Sequence, residues 1–213
     1  RKEILLNDLP NEEKKISDFL EGKPQNIETV LKSKIISQRD VSFSSSIYLD
    51  NEIKNSNYEI VDLSNVADFI RGVTFSKKDQ LEKDTDTSCK VVTTKAAQEK
   101  GIVEENCYLI DQKIVKDPSK FLKKSDILIS LANSLSLVGR TTYVKDPSPK
   151  TCFGAFMGVI RADTNKIDPF FLNVILKSEK AKKFFINNAN TTTNISNISF
   201  STLSEFSFPL PPL

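Results

Sequence analysis

Histidine is absent from all 213 residues. This removes imidazole acid–base chemistry, a Ser-His-Asp triad and histidine-ligated metals from the options for this chain. Cysteine is scarce: Cys89, Cys107 and Cys152 are odd in number and lack metal-ligand spacing. Free thiols in a reducing cytoplasm suit them better than a disulfide framework. Apolar runs stay well short of the ~20 residues that span a bilayer, and no signal peptide opens the chain; the expectation is a cytoplasmic protein with no membrane partner. Catalytic loops are missing too. The Pro211-Pro212 pair sits between Leu210 and Leu213, not in the Asn/Asp-Pro-Pro-Tyr/Phe loop that holds a target amine. No glycine-rich cofactor loop, P-loop or paired-acid nuclease signature can be placed. The expectation is a chain with no catalytic residues, no metal site and no cofactor of its own. It begins at Arg1, and its one methionine is Met157, so it is expected to be part of a longer protein.

Charge is present but unevenly spread. The formal net charge is only +2. Residues 1–55 carry 9 basic and 10 acidic side chains, whereas residues 113–150 carry 8 basic and 3 acidic. A local basic field of that kind attracts phosphates even on a nearly neutral chain, though a solvated lysine-rich surface has the same composition.

The central stretch is Ser125–Val144, SDILISLANSLSLVGRTTYV. Asp126-Ile-Leu-Ile-Ser130 is short, β-branched and apolar, as a buried strand requires. Residues 132–136 interrupt it with Asn and Ser, and a second β-type run follows, with Gly139 marking a bulge or close backbone approach. From these residues alone the stretch is a hairpin with a polar tip. Upstream, 58–63 alternates like a strand, and Ser64 is placed to cap a helix over 65–70. Gly72 is expected to supply a positive-φ turn that pushes Thr74 outward. Residues 90–94 and 107–111 are expected as strands, 116–124 as a short turn or helix, and 152–162 as one buried strand. A helix is expected over 168–188, with Asp168 as N-cap, Pro169 at the first position and Ile167 stapled to Leu172. Residues 187–197 form a polar loop, and 201–208 a short turn or helix followed by a final strand.

The central stretch, with its DILIS…N…SLVGR pattern, resembles the DNA specificity domain of Type I restriction-modification systems, which also closes some fused adenine-N6 methyltransferases. Gly72-Val-Thr-Phe-Ser-Lys77 is similar to the opening G-x-T-x-x-K turn of that family. Asn194-Ile-Ser, Leu203 and Phe208-Pro-Leu-Pro-Pro-Leu213 are similar to its closing segment. Residues 35–50 loosely resemble the family's methyltransferase-to-specificity linker, departing from it at Phe43 and in the serine-rich filling. The resemblance implies a mixed α+β domain over 56–213, with a twisted, largely antiparallel sheet and a few packed helices. A helical segment and linker over 1–55 would precede it. It also implies double-stranded DNA as ligand, an adenine-N6 methyltransferase domain or subunit as partner, and a second recognition domain. S-adenosylmethionine would then belong to that partner or to an upstream domain. A module that docks on a methyltransferase without reading DNA, and a carbohydrate- or peptide-binding domain, are the competing readings.

Phosphate gripping needs Lys and Arg, and base reading needs Arg, Asn, Gln, Ser and Thr at groove edges. The candidates are Arg71, Thr74, Lys77 and Lys78 in the first loop. In and after the second they are Asn133, Ser134, Arg140, Thr141, Thr142 and Lys145. Arg161 follows on the next strand, and the last loop offers Thr191, Thr192 and Asn194 among residues 190–194. Three loops distant in sequence must converge on one face for the DNA reading to hold.

Overall fold

A computed structural model describes residues 57–192 and 195–213. The expected helical segment and linker over 1–55 lie outside the described residues, as does Asn194. The strands are, in order, β1 (Glu59–Asp62), β2 (Ala67–Arg71), β3 (Ser88–Val92), β4 (Ala97–Gln98), β5 (Gly101–Ile102), β6 (Tyr108–Asp111) and β7 (Ile127–Ser130). They continue as β8 (Ala132–Asn133), β9 (Thr141–Tyr143), β10 (Thr151–Phe153), β11 (Met157–Ala162), β12 (Asn190–Thr191), β13 (Ser196–Asn197) and β14 (Ser207–Leu210). Three helices, α1 (Pro169–Leu176), α2 (Glu179–Asn187) and α3 (Phe200–Ser204), complete the described residues. The mixed, largely antiparallel class is as expected; β10 beside β3 is a parallel pair.

The central sheet has the order β2-β11-β7-β9, all antiparallel. All four residues of β7 are buried, and its side chains alternate between two cores. Ile127 and Ile129 face a core shared with Leu172, Phe185 and Phe208. Leu128 faces a second one with Val92, Phe153 and Val159. A strand covered on both faces must be apolar at every position, which is why this stretch reads as a continuous run. A second sheet, β10-β3-β6, builds a third core around Val91, Ile110 and Cys152. The three cysteines are free thiols, with the buried Cys89 and Cys152 sulfurs 3.8 Å apart, well beyond a bonded S–S distance of about 2.05 Å.

Four local expectations are corrected. Residues 65–70 are not a helix: a 3-10 turn over Leu63–Asn65 is closed by the Asp62 amide donating to Asn65 Oδ1 at 3.1 Å, and Ala67–Arg71 then pair with β11. Ladder pairing with a buried strand outweighs a local capping signal. Residues 152–162 form two strands, because a turn at 154–157, closed by the Met157 amide on the Gly154 carbonyl (2.8 Å), sends the chain from one sheet to the other. The 168–188 helix is two helices. Asp168 caps the first through the Phe171 amide (2.7 Å), and Ser178 caps the second through the Ala181 amide (3.2 Å). Finally, Gly72 has no positive φ; only Gly101 and Gly139 do among the described glycines. Gly72 is needed for space, since a Cβ there would lie 2.1 Å from the Gly154 carbonyl oxygen.

Candidate nucleic-acid interface

Two adjoining grooves share the Ala155-Phe156 turn as a common wall. The larger, about 440 Å³, runs along Thr74–Lys77 and the Thr93–Lys95 turn. The smaller, about 300 Å³, lies between Arg71, Ala132, Asn190, Asn197 and Ser199. Arg71, Lys77 and Lys95 line them, and among the described residues no carboxylate lines either groove. The described residues include 18 acidic side chains, so their absence from both linings favours an anion on this face.

Local structure explains the placement. Asp79 accepts from the Ser76 amide (2.6 Å) and hydroxyl (2.7 Å), which folds the short 3-10 turn that carries Lys77 and Lys78. These two bonds, the amide first, hold the Asp79 carboxyl below its ordinary range. Arg71 ends β2 and is exposed, with its guanidinium carbon 5.5 Å from the centre of the Phe200 ring, a cation–π position. A three-stranded sheet, β12-β13-β8, pairs Asn190 with Asn197 and Ser196 with Asn133. Asn190 and Asn197 are exposed while Ser196 is buried, so the two amides stand side by side toward the smaller groove.

The first and third expected loops line the grooves, whereas the second reaches them only at Ala132, and none of its candidates at 133–142 lines either one. Arg71, Thr74 and Lys77 line the grooves, and Lys78 is exposed beside them. Asn133 is half-buried and spends its amide on its own loop, donating to Ser130 Oγ (3.2 Å) and accepting from the Ser134 amide (2.9 Å). Ser134, Thr191 and Thr192 are exposed nearby in sequence to β8 and β12. Lys145 is exposed but lines neither groove.

Four candidates point inward. Thr141 and Thr142 are 3% and 1% exposed, because α1, β4 and β5 pack on the edge strand β9; Thr142 donates to the Gln98 carbonyl at 2.8 Å. Arg161 is held by both Asp126 oxygens at 2.7 Å each, so it closes the sheet instead of facing a ligand. Arg140, expected to project outward after Gly139, instead donates to the Thr94 carbonyl (2.6 Å) and Gln98 Oε1 (3.2 Å). It does not pair with Asp126 or Asp146. It fastens the turn whose Thr94 and Lys95 wall the larger groove. Replacing Arg140 by Ala should therefore cost about 1–2 kcal/mol of stability, read as a drop of roughly 2–8 °C in thermal midpoint. A midpoint equal to wild type would show the anchor to be idle.

Sequence reading missed Phe156, Lys95 and Asn197. For Phe156 a signal existed: Gly154-Ala-Phe-Met-Gly158 brackets an aromatic with turn residues. Lys95 offered none, since the contact that ties its turn to the central sheet comes from Arg140, distant in sequence. Among the described residues no cluster of His, Cys, Asp or Glu could hold a metal ion, and no helix is long and apolar enough to cross a membrane.

Comparison with known proteins places this geometry in a family. The Type I restriction modification DNA specificity domain matches residues 55–213. The chain is similar to the EcoKI specificity subunit of Escherichia coli K12, 26% identical over 155 residues, covering 72% of this chain and 32% of that protein. It is also similar to the StySPI specificity subunit of Salmonella potsdam, 26% identical over 152 residues, covering 71% and 32%. The chain thus spans about a third of the length of these relatives. Among solved structures, a chain from a type I R-M system shares the fold with a TM-score of 0.55 at 17% identity, covering 78% of this chain and 37% of that one. The HsdS subunit of Thermoanaerobacter tengcongensis does so with a TM-score of 0.50 at 16% identity, covering 79% and 37%. With three quarters of its length matched and the fold shared, the chain belongs to the family of Type I restriction modification DNA specificity domains.

Proposed function

We propose that this chain recognises a specific double-stranded DNA sequence through the two acid-free grooves and so directs the modification machinery of a restriction system to its site. The observation that carries this reading is the lining itself: three cations, no carboxylate among the described residues, and two paired asparagine amides beside an exposed aromatic. Cations supply salt-dependent, sequence-independent affinity. Asparagine amides can bond the N6/N7 edge of adenine bidentately. Thr74 is assigned to the larger groove beside Lys77, Lys78, Ser134, Thr191 and Thr192 to further contacts with the duplex, and Arg140 to holding the Thr94–Lys95 turn in place.

The partner in this reading is an adenine-N6 methyltransferase domain or subunit, with a second recognition domain completing a split site. S-adenosylmethionine is assigned to that partner. Neither groove offers a carboxylate for ribose hydroxyls, so the residues present do not fit this cofactor. A carbohydrate ligand is less well matched, because three cations with no acid suit a polyanion.

Binding of a mixed-sequence duplex by the full 213-residue chain, measured against salt, tests the electrostatic half. Arg71→Gln, Lys77→Gln and Lys95→Gln together should flatten the log–log slope by about 2–3 units, since each phosphate contact contributes about 0.9. Lys145→Gln, outside both grooves, should leave it unchanged. An unaltered slope in the triple variant would remove the grooves from the interface.

A further inference from the structure

Phe156 is 68% exposed at the junction of the two grooves. Its backbone is not free. Its carbonyl accepts from the Leu131 amide (2.9 Å) and the Ala132 amide (3.3 Å), and the turn carrying it is closed by the Met157 amide on Gly154. Beneath it Gly154 lies so close to Gly72 that no Cβ fits at the latter. A rigid mount thus holds an aromatic ring out into water with only its two side-chain torsions free. A ring so presented loses little conformational freedom on contact, and the fold gains nothing from its exposure.

We propose that Phe156 is a specificity-determining residue that packs on the 5-methyl group of a thymine in the major groove. This rests on the reading that the grooves hold duplex DNA. On one side of the ring stand the Asn190 and Asn197 amides, whose fork matches the major-groove edge of adenine. The thymine paired with that adenine presents its methyl group on the same edge, and an apolar side chain is the surface that recognises it. The minor groove displays no methyl group, so the contact also fixes which groove faces the protein. An aromatic wedge between base steps is the competing use of an exposed phenylalanine. It would unstack bases without depending on a methyl group.

The test uses the full chain and a duplex enriched by it from a randomised library. Each thymine of that duplex is replaced in turn by 2′-deoxyuridine, which deletes only the methyl group. Wild type should lose about fourfold in affinity at one position, the worth of one buried methyl group. Phe156→Ala should bind the unmodified duplex several-fold more weakly and lose the deoxyuridine penalty at that position, with a thermal midpoint near wild type because the ring is exposed. Phe156→Leu should keep part of the penalty. Indifference of wild type to every deoxyuridine would overturn the proposal while leaving the DNA reading intact. So would a penalty that survives Phe156→Ala, or a rise in 2-aminopurine fluorescence showing unstacked bases. Failure of wild type to enrich any sequence would overturn both.

Discussion

Arg161→Ala should be among the most destabilising single changes in the described residues, at about 3–5 kcal/mol. Asp126 is 1% exposed and Arg161 19%. Their fork–fork contact joins the start of β7 to the end of β11, and Arg161 also reaches the carbonyls of Ser119 (3.3 Å) and Phe121 (3.4 Å). Asp126 in addition accepts from the Lys123 amide at 2.8 Å. Removing the guanidinium strands a buried carboxylate, and that desolvated charge makes up most of the cost. Arg161→Lys keeps the charge but loses the bidentate fork, so an intermediate loss is expected. In a double-mutant cycle with Asp126→Ala, the double variant should lose less than the sum of the singles. Urea denaturation of the four proteins gives the numbers. Additive losses would show that the pair does not act as a unit. Below its reduced midpoint the Arg161→Ala protein should still select the wild-type DNA sequence, because this residue lies inside the sheet.

Gly72→Ala is expected to cost about 3–4 kcal/mol, at the upper end for overpacking. The added Cβ would meet three backbone atoms: the Gly154 oxygen at 2.1 Å, the Gly154 carbon at 2.5 Å and the Phe153 oxygen at 2.5 Å. No rotamer change relieves such contacts. The strand must move, and with it the Val73 amide bond to the Phe153 carbonyl (2.7 Å) and the turn that presents Phe156. Gly101 is the control. Its φ of +146° strains any other residue, but nothing lies within 4 Å of a Cβ there. Gly101→Ala should then cost only the backbone term, about 1–2 kcal/mol. A loss at Gly72 no larger than that at Gly101 would mean that the added Cβ is accommodated and that space does not set the requirement at Gly72.

How much of this was legible depended on how local the cause was. The Asp168-Pro169 start of α1 and the apolar run of β7 are written in adjacent residues, and both are where the sequence places them. The Ser178 cap was equally local: Ser178-Glu179 is a helix start embedded in a longer helical pattern, and the pattern masked it. Arg140 and Arg161 are different. Their partners lie 42–46 and 35–42 residues away, and only the folded sheet brings a carbonyl or carboxylate to each guanidinium. An arginine next to a glycine in a polar loop looks the same whether it faces out or in. Gly72 was expected to supply a positive-φ turn and does not; a single sequence does not distinguish a glycine needed for its φ from one needed for its missing Cβ. The resemblance carried the fold class and the family; it did not carry the electrostatics of the face, which emerge only when β2, the Thr93–Lys95 turn and β12 are assembled.

The most direct test of that face is selection from a randomised duplex library by the full chain and by two variants of it. The account predicts that wild type enriches a defined sequence. It predicts that Asn190→Ala with Asn197→Ala relaxes one or two of the enriched positions, at about 1–3 kcal/mol each, while the salt slope stays unchanged. It further predicts that the Arg71, Lys77, Lys95 triple Gln variant weakens binding to all sequences alike. An enriched sequence that both variants reproduce with wild-type affinity would contradict the account and move recognition to another surface of the domain.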